Sequence, residues 1–404
     1  MSGGRTGPSH NKVVVCYIGR WSVYRPDRGK FEIEDLDPSL CTHVIYSFAG
    51  LNAAKDSIRS LDPWQDLSDE YGRDGYNRLV RLKQQYPHLK VSIAIGGWNE
   101  GSANYSRLAA DAGRRGRFIE SVLNFLRYME ISLHKIINRK HKFDGLDLDW
   151  EFPAKRGGIP QDKANFLLLV RELRAAFNKF DYLLTAALGA GKETIDIAYD
   201  VAGLSVYLDF IHMMCYDYHG PWDGKTGANA PLRSSDTLSV EYTINYMIKL
   251  GANPSKLVMG LPFYGRTFLV NNAALSSVRQ RKLGEVSLST GFQGPYTKEY
   301  GFMGYHEICL ALRNRSLGYT RHWDDISRTP FAVSNEKVIV YDDAESITEK
   351  VKFAMVKGLA GCMIWSIDTD DFRGDCPNYD ANLGGHTKFP LLRTVNKAIE
   401  QTLR

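Results

Sequence analysis

The chain has 404 residues, and its 51 Lys and Arg against 46 Asp and Glu leave a net charge of +5 without a long basic block, so a nucleic-acid surface is not indicated. No apolar run approaches the length of a membrane span, and the polar start of the chain lacks the apolar core of a secretion signal. Six cysteines with no CxxC pair are too few for a disulfide scaffold and argue against zinc.

Residues 1–11 read as a flexible tail. Short apolar strand candidates then follow at 13–17, 43–48, 90–95, 145–150, 183–187, 210–214, 257–260 and 361–365. Helix-like stretches at 75–86, 115–126, 163–180, 239–250 and 346–357 alternate with them. Eight strands separated by helices predict an α/β chain closed into a (β/α)8 TIM barrel. The open doubly wound alternative is weakened because no GxGxxG follows the first strand. The gap between the seventh and eighth strands is much longer than the others and carries Tyr, Phe and Gly with short strand-like pieces. Residues 266–339 are therefore expected to form a small α+β insertion, with the barrel over 12–265 and 340–398. The insertion would stand at the C-terminal ends of the strands as one wall of a cleft.

Residues 144–151 read Asp-Gly-Leu-Asp-Leu-Asp-Trp-Glu. On a strand, Asp147, Asp149 and Glu151 share one face, and Leu146, Leu148 and Trp150 take the other. Stacked carboxyls are unfavourable unless protons are shared or a ligand binds there, so the pattern points to acid/base chemistry. An exposed acidic edge strand does not explain so apolar an opposite face. Oxygen-only ligands would suit Mg or Ca, but the calcium-loop spacing is missing and the ten His form no HxxxH or HxH cluster. No metal and no cofactor are expected.

Aromatic residues recur at the predicted strand ends, where a barrel places its reacting groups. Tyr17 and Trp21 follow the first strand, Phe48 ends the second and Trp98 the third; Met214, Tyr216 and Asp217 belong to the sixth, Tyr264 and Arg266 to the seventh, and Trp365 to the eighth. Their recurrence predicts a stacking groove for a flat, apolar-faced ligand such as a sugar ring. Asp149 and Glu151 would titrate as a coupled pair, and a protonated Glu at the rim suits donation to a leaving oxygen, with Tyr216 and Asp217 facing it. A second carboxylate is usual in glycosidases, and the strand face leaves both Asp149 and Asp217 open for it.

With these motifs in place, the chain resembles glycoside hydrolase family 18 chitinases, most closely the secreted arthropod enzymes, from Val13 to the C-terminus. The signature Asp-x-x-Asp-x-Asp-x-Glu is met by Asp144, Asp147, Asp149 and Glu151. The runs 92–98, 213–217 and 260–266 resemble the third-, sixth- and seventh-strand motifs. The resemblance implies chitin and chitooligosaccharides as substrate, with Glu151 as proton donor and the substrate's own N-acetyl oxygen as nucleophile. It implies that Asp149 holds the acetamido N–H after pivoting from Asp147, and that Tyr216 bonds the acetamido oxygen. Trp365 would be the floor beneath the cleaved sugar, Met214 and Asp217 its neighbours, and Tyr17, Trp21, Phe48, Trp98, Tyr264 and Arg266 groove residues, with Trp222 a further contact. Disulfides Cys16 to Cys41 and Cys309 to Cys376, unpaired Cys215 and Cys362, and a secreted glycoprotein are also implied. Asn104 and Asn314 are acceptor sites for glycans. The chain is expected to be a monomer with no nucleic-acid or membrane partner.

Three features depart from the family pattern. The sequence shows no leader and no Cys-rich chitin-binding module, and reads as a catalytic domain alone. Residues 129–141 lengthen the approach to the fourth strand, on the barrel's far face from the chemistry. Cys215 stands where a small residue such as Ala is expected. Two other functions share this pattern: a chitin-binding lectin, against which the intact Glu151 counts, and an endo-N-acetylglucosaminidase acting on glycans.

Overall fold

The computed structural model describes residues 6–127, 129–130, 139–140, 143–270, 282–376 and 386–404. Eight parallel strands close on themselves, in chain order Val13–Gly19, His43–Asn52, Lys90–Gly96, Gly145–Asp149, Leu183–Gly189, Phe210–Met214, Leu257–Pro262 and Gly361–Trp365. Closure is made where the first strand pairs with both the eighth and the second. Each strand is buried on two faces, which explains the nearly continuous apolar runs. Val15, Tyr17, Ile45, Ala94, Val258 and Met363 fill the barrel interior. The alternate residues, among them Val14, Cys16, Val44, Ile93, Leu146 and Leu148, face the helical layer and join the main core.

The expected helices lie at Gly75–Gln85, Ala112–Arg127, Asp162–Phe177, Val240–Lys249 and Ala344–Val356. Phe118, Val122 and Leu126 show the i, i+4, i+8 stripe by which these helices bury one side. Asp343 caps the last of them by accepting the backbone N–H groups of Glu345 and Ser346 at 3.1 and 3.2 Å. Shorter helices at Ala103–Ala110, Lys192–Ala198 and Val201–Tyr207 complete the crossovers. The terminal helix Pro390–Leu403 runs past the expected limit at 398, because Leu391, Leu392, Val395 and Ile399 give it a buried face of its own.

After Pro262 the chain leaves the barrel at Phe263, whose N–H donates to the Trp365 carbonyl at 2.9 Å. Tyr264–Leu269 opens an antiparallel sheet with Phe302–Gly304, Lys337–Val340, Thr329–Ser334 and Thr320–Asp324, joined by the helix Tyr305–Arg313. Pairing thus starts two residues before the expected boundary at Arg266. Phe268, Val270, Phe331, Val333, Val338 and Val340 form a separate core for this sheet.

Cys16 is bonded to Cys41 and Cys309 to Cys376, while Cys215 and Cys362 are buried free thiols. Within the tail expected over 1–11, His10 Nε2 lies 2.9 Å from Asn396 Oδ1 and Ser9 bonds Glu400, tying this stretch to the terminal helix. Of the 129–141 segment, Met129–Glu130 pairs antiparallel with Arg139–Lys140; its remaining positions lie outside the described residues.

The third and fourth strands come closest at Gly96, where φ is +114° and a Cβ would stand 2.2 Å from the Asp149 carbonyl oxygen. Only glycine satisfies both constraints. Gly96→Ala is expected to lower unfolding free energy by about 2 kcal/mol or more, checked by urea denaturation.

Candidate active site

The fourth strand runs Gly145–Asp149 with every residue buried, and the predicted parity holds along it. Leu146, Leu148 and Trp150 belong to the outer core. Asp147 points into the barrel and is engaged by three neighbours. Its Oδ2 accepts the Tyr17 hydroxyl at 2.6 Å, and its Oδ1 accepts the Thr185 hydroxyl at 2.6 Å. His212 Nδ1 lies 3.1 Å from Oδ1 and 2.8 Å from the Tyr17 oxygen. With the Tyr17 proton directed at Asp147, an Nδ1–H tautomer of His212 donates toward both oxygens. Asp147 therefore sits fully hydrogen-bonded beneath the other two acids.

Asp149 is 3% exposed, and its Oδ1 has no hydrogen-bond partner among the described residues. Burial, followed by repulsion from Glu151 and Asp147, holds its affinity for a proton well above that of an ordinary carboxylate. Glu151, partly buried just beyond the strand, is raised to about 7 by burial first and Asp217 second, with Arg156 opposing. Repulsion between the two carboxyls makes them titrate as a pair.

Tyr216 follows the sixth strand. Burial raises its pKa well above the phenol range, which keeps the hydroxyl a donor, and among the described residues that hydroxyl reaches only the Met363 sulfur at 3.8 Å. Asp217 is exposed, with a φ of +57°, and its Oδ1 accepts from the Tyr264 hydroxyl at 2.8 Å and from Arg266 Nε at 2.7 Å. Tyr264 is thus buried and bound to Asp217, so it is not an open wall. The Arg266 guanidinium stands over the Trp222 ring at 5.0 Å from its centroid.

Trp365, at the end of the eighth strand, is partly exposed. Phe48, Tyr17 and Trp21 pack around it with ring centroids 5.7, 5.6 and 6.1 Å away. Met214 packs among the same interior residues. Trp21 is 40% exposed, and Trp98, after the third strand, is 57% exposed with the Arg156 guanidinium 3.6 Å from its ring centroid. Together these rings leave a broad apolar floor beside the two acids. Such a surface suits the flat face of a sugar and protonation of its glycosidic oxygen.

Asp144, the first acid of the signature, stands apart from the site. It accepts the Val91 N–H at 2.7 Å and pairs with Lys83 at 2.7 Å, joining the start of the fourth strand to its surroundings. Thr185, His212 and Arg156 belong to the site and were missed by pattern reading. His212 and Thr185 have the inward parity of their strands, and that register was the available signal. Arg156 donates to the carbonyls of Trp98 and Glu151 at 2.8 and 3.0 Å, contacts that no spacing announces.

A closed parallel barrel with paired acids and stacked aromatics at its C-terminal mouth is the architecture of a barrel glycoside hydrolase. The profile of glycosyl hydrolases family 18 matches residues 13–370, and the chain belongs to that family. It is 51% identical to "Probable chitinase 2" of Drosophila melanogaster over 98% of this chain and 82% of that protein. The Ostrinia furnacalis Group IV chitinase in complex with allosamidin superposes with a TM-score of 0.86 at 38% identity, covering 97% of this chain and 99% of that one. Human YKL-39, a pseudo-chitinase with retained chitooligosaccharide binding, matches at a TM-score of 0.81 and 33% identity, over 96% of this chain and 100% of that one.

Because the Glu151 proton is held more tightly in the folded protein, the native state binds more protons than the unfolded one between about 4.5 and about 7, and stability falls as pH rises through that window. Glu151→Gln is therefore expected to raise the melting temperature more at pH 8 than at pH 4.5. Melting curves of parent and variant at the two values check the sign.

Proposed function

We propose that this chain is a chitinase that hydrolyses β-1,4 linkages between N-acetylglucosamine units with retention of configuration, assisted by the substrate's own acetamido group. Glu151 is the general acid and then the general base; a group raised to about 7 holds its proton in weakly acidic solution and can exchange it. Asp149 holds the acetamido N–H. The observation that carries this reading is its buried Oδ1, which has no partner among the described residues and stands beside Glu151 on one face. Asp147, fixed by Tyr17, Thr185 and His212, lies below as the carboxyl with which Asp149 exchanges a proton.

In this mechanism the Tyr216 hydroxyl donates to the acetamido oxygen and aligns it with the anomeric carbon. Glu151 protonates the departing oxygen as the acetamido oxygen attacks, closing a positively charged ring that the Asp149 carboxylate stabilises. Glu151, now ionised, takes a proton from the water that attacks the anomeric carbon; the bond to the acetamido oxygen breaks, and this second inversion restores the original configuration. Asp217 is a polar neighbour of the same sugar. Trp365 is the floor, with Met214 beside it and Tyr17, Trp21 and Phe48 supporting it; Trp98 and Arg266 flank the groove. The sheet from Tyr264 to Val340 is the insertion that walls one side. No metal or cofactor enters these steps, and the chain acts as a secreted monomer.

YKL-39 keeps oligosaccharide binding and is named a pseudo-chitinase, so binding alone does not separate enzyme from lectin. Glu151→Gln is expected to lower turnover of an N-acetylglucosamine hexamer at least roughly a hundredfold while leaving binding largely intact. Unchanged turnover, followed by product sizes over time, would refute the role of Glu151.

Trp365→Ala is expected to weaken oligosaccharide binding about tenfold, the order of one lost aromatic contact. Equal affinity by calorimetry would place the sugar elsewhere.

A further inference from the structure

A cavity of about 610 Å³ lies along the outer side of the helix Val240–Lys249, among side chains that the proposed reaction does not use. It is open to solvent, as a hold on one unit of a longer chain requires. Two tyrosines four residues apart, Tyr242 and Tyr246, lie nearly parallel with ring centroids 5.8 Å apart and form a strip along it. Tyr246 is fixed in place: it bonds Asp196, and the Lys192 ammonium stands 5.0 Å from its ring centroid. Tyr242 and Asn245 have no side-chain hydrogen bond among the described residues. They leave a phenol and an amide free for a ligand.

The charges around the cavity are balanced: Lys192 pairs with Asp196 at 2.6 Å and Glu241 with Arg233 at 3.1 Å, which leaves Lys249 and Asp236, of opposite sign. Such a lining does not select an anion or a cation. It suits a neutral ligand rich in hydroxyl and amide groups, with an apolar face to lie on a ring. The position favours the same substrate. Lys192 begins the helix after the fifth barrel strand, and Asp236 lies on the loop after the sixth, so the cavity opens near the end of the barrel that carries the groove. A wall of side chains joins the two: Arg156 covers Trp98, and its neighbour Lys155 donates to Thr194 at 3.1 Å on the Lys192–Ala198 helix.

We propose that this cavity is a second, non-catalytic saccharide site, which takes an N-acetylglucosamine unit of a chitin chain lying outside the groove. The proposal rests on the functional reading above for the identity of the polymer. Its use is on solid chitin, where a second hold on the surface raises the local concentration of chain at the groove.

The test measures retention on insoluble chitin in a Glu151→Gln, Trp365→Ala background, in which cleavage is removed and the groove is weakened. Adding Tyr242→Ala is expected to lower the apparent affinity about three- to tenfold, as loss of one stacking contact would. Asn245→Ala, on an exposed helix position that alanine favours, is expected to lower it about threefold without disturbing the fold. In the otherwise unaltered enzyme both substitutions should leave hydrolysis of a soluble N-acetylglucosamine tetramer unchanged. Retention equal in the background and in both added variants overturns the second site. A parent enzyme that fails to cleave the tetramer, with retention still dependent on Tyr242 and Asn245, supports the site and overturns the catalytic reading instead.

Discussion

The site depends on three carboxyls at alternate positions, two on one buried strand and the third just past its end, in surroundings that disfavour three separate charges. Asp147 is the deepest, and hydrogen bonds from Tyr17 and Thr185 with His212 alongside satisfy both its oxygens. A hydrogen-bonded base leaves the strain to the upper pair. Asp149 is raised by burial and by its two acidic neighbours, and Glu151 by burial and Asp217. Repulsion between neighbouring carboxyls in such a column makes the proton affinity of one depend on the charge of the next.

The column works only if the strands around it close tightly, and small residues make that possible. Gly96 sits against the Asp149 carbonyl, and the next residue, Gly97, donates its N–H to that same oxygen at 2.8 Å. A Cβ on Gly97 would stand 2.7 Å from the Phe48 ring, which itself lies beside Trp365. Backbone contacts at one strand end thus fix both the acids and the aromatic floor. The precise spacing between ring and carboxyl belongs to the rigid barrel, not to mobile loops.

Much of this was legible in the residues. Alternation in 144–151 gave the face of each acid, because a strand has only two, and the spacing of apolar runs gave the eight strands. The aromatic residues were placed at the mouth because each follows an apolar run. What escaped was pairing across strands. His212 reads as one polar residue in an apolar segment, and nothing near it in sequence names Asp147, 65 positions earlier, as its partner. Tyr264 was expected as a wall of the groove, yet it is buried because Asp217 receives its hydroxyl. Contacts of this kind depend on strand register, which a local pattern does not contain.

The link from Asp217 to Arg266 shows how the insertion becomes part of the site. Arg266 is held on both sides by backbone pairing, with Phe302 and with Val340, so its guanidinium leaves the sheet in a fixed direction. It meets Asp217 on the barrel and lies over the rings of Trp222, Tyr264 and Phe302. A planar, weakly hydrated cation can make an ion pair and stack at the same time, whereas a lysine ammonium would keep the charge and lose much of the contact. Arg266 is the more buried of the two, so separating the units would leave its charge without a partner, whereas the exposed Asp217 would regain water. The barrel and the added sheet are thereby joined at the carboxylate that helps to raise Glu151.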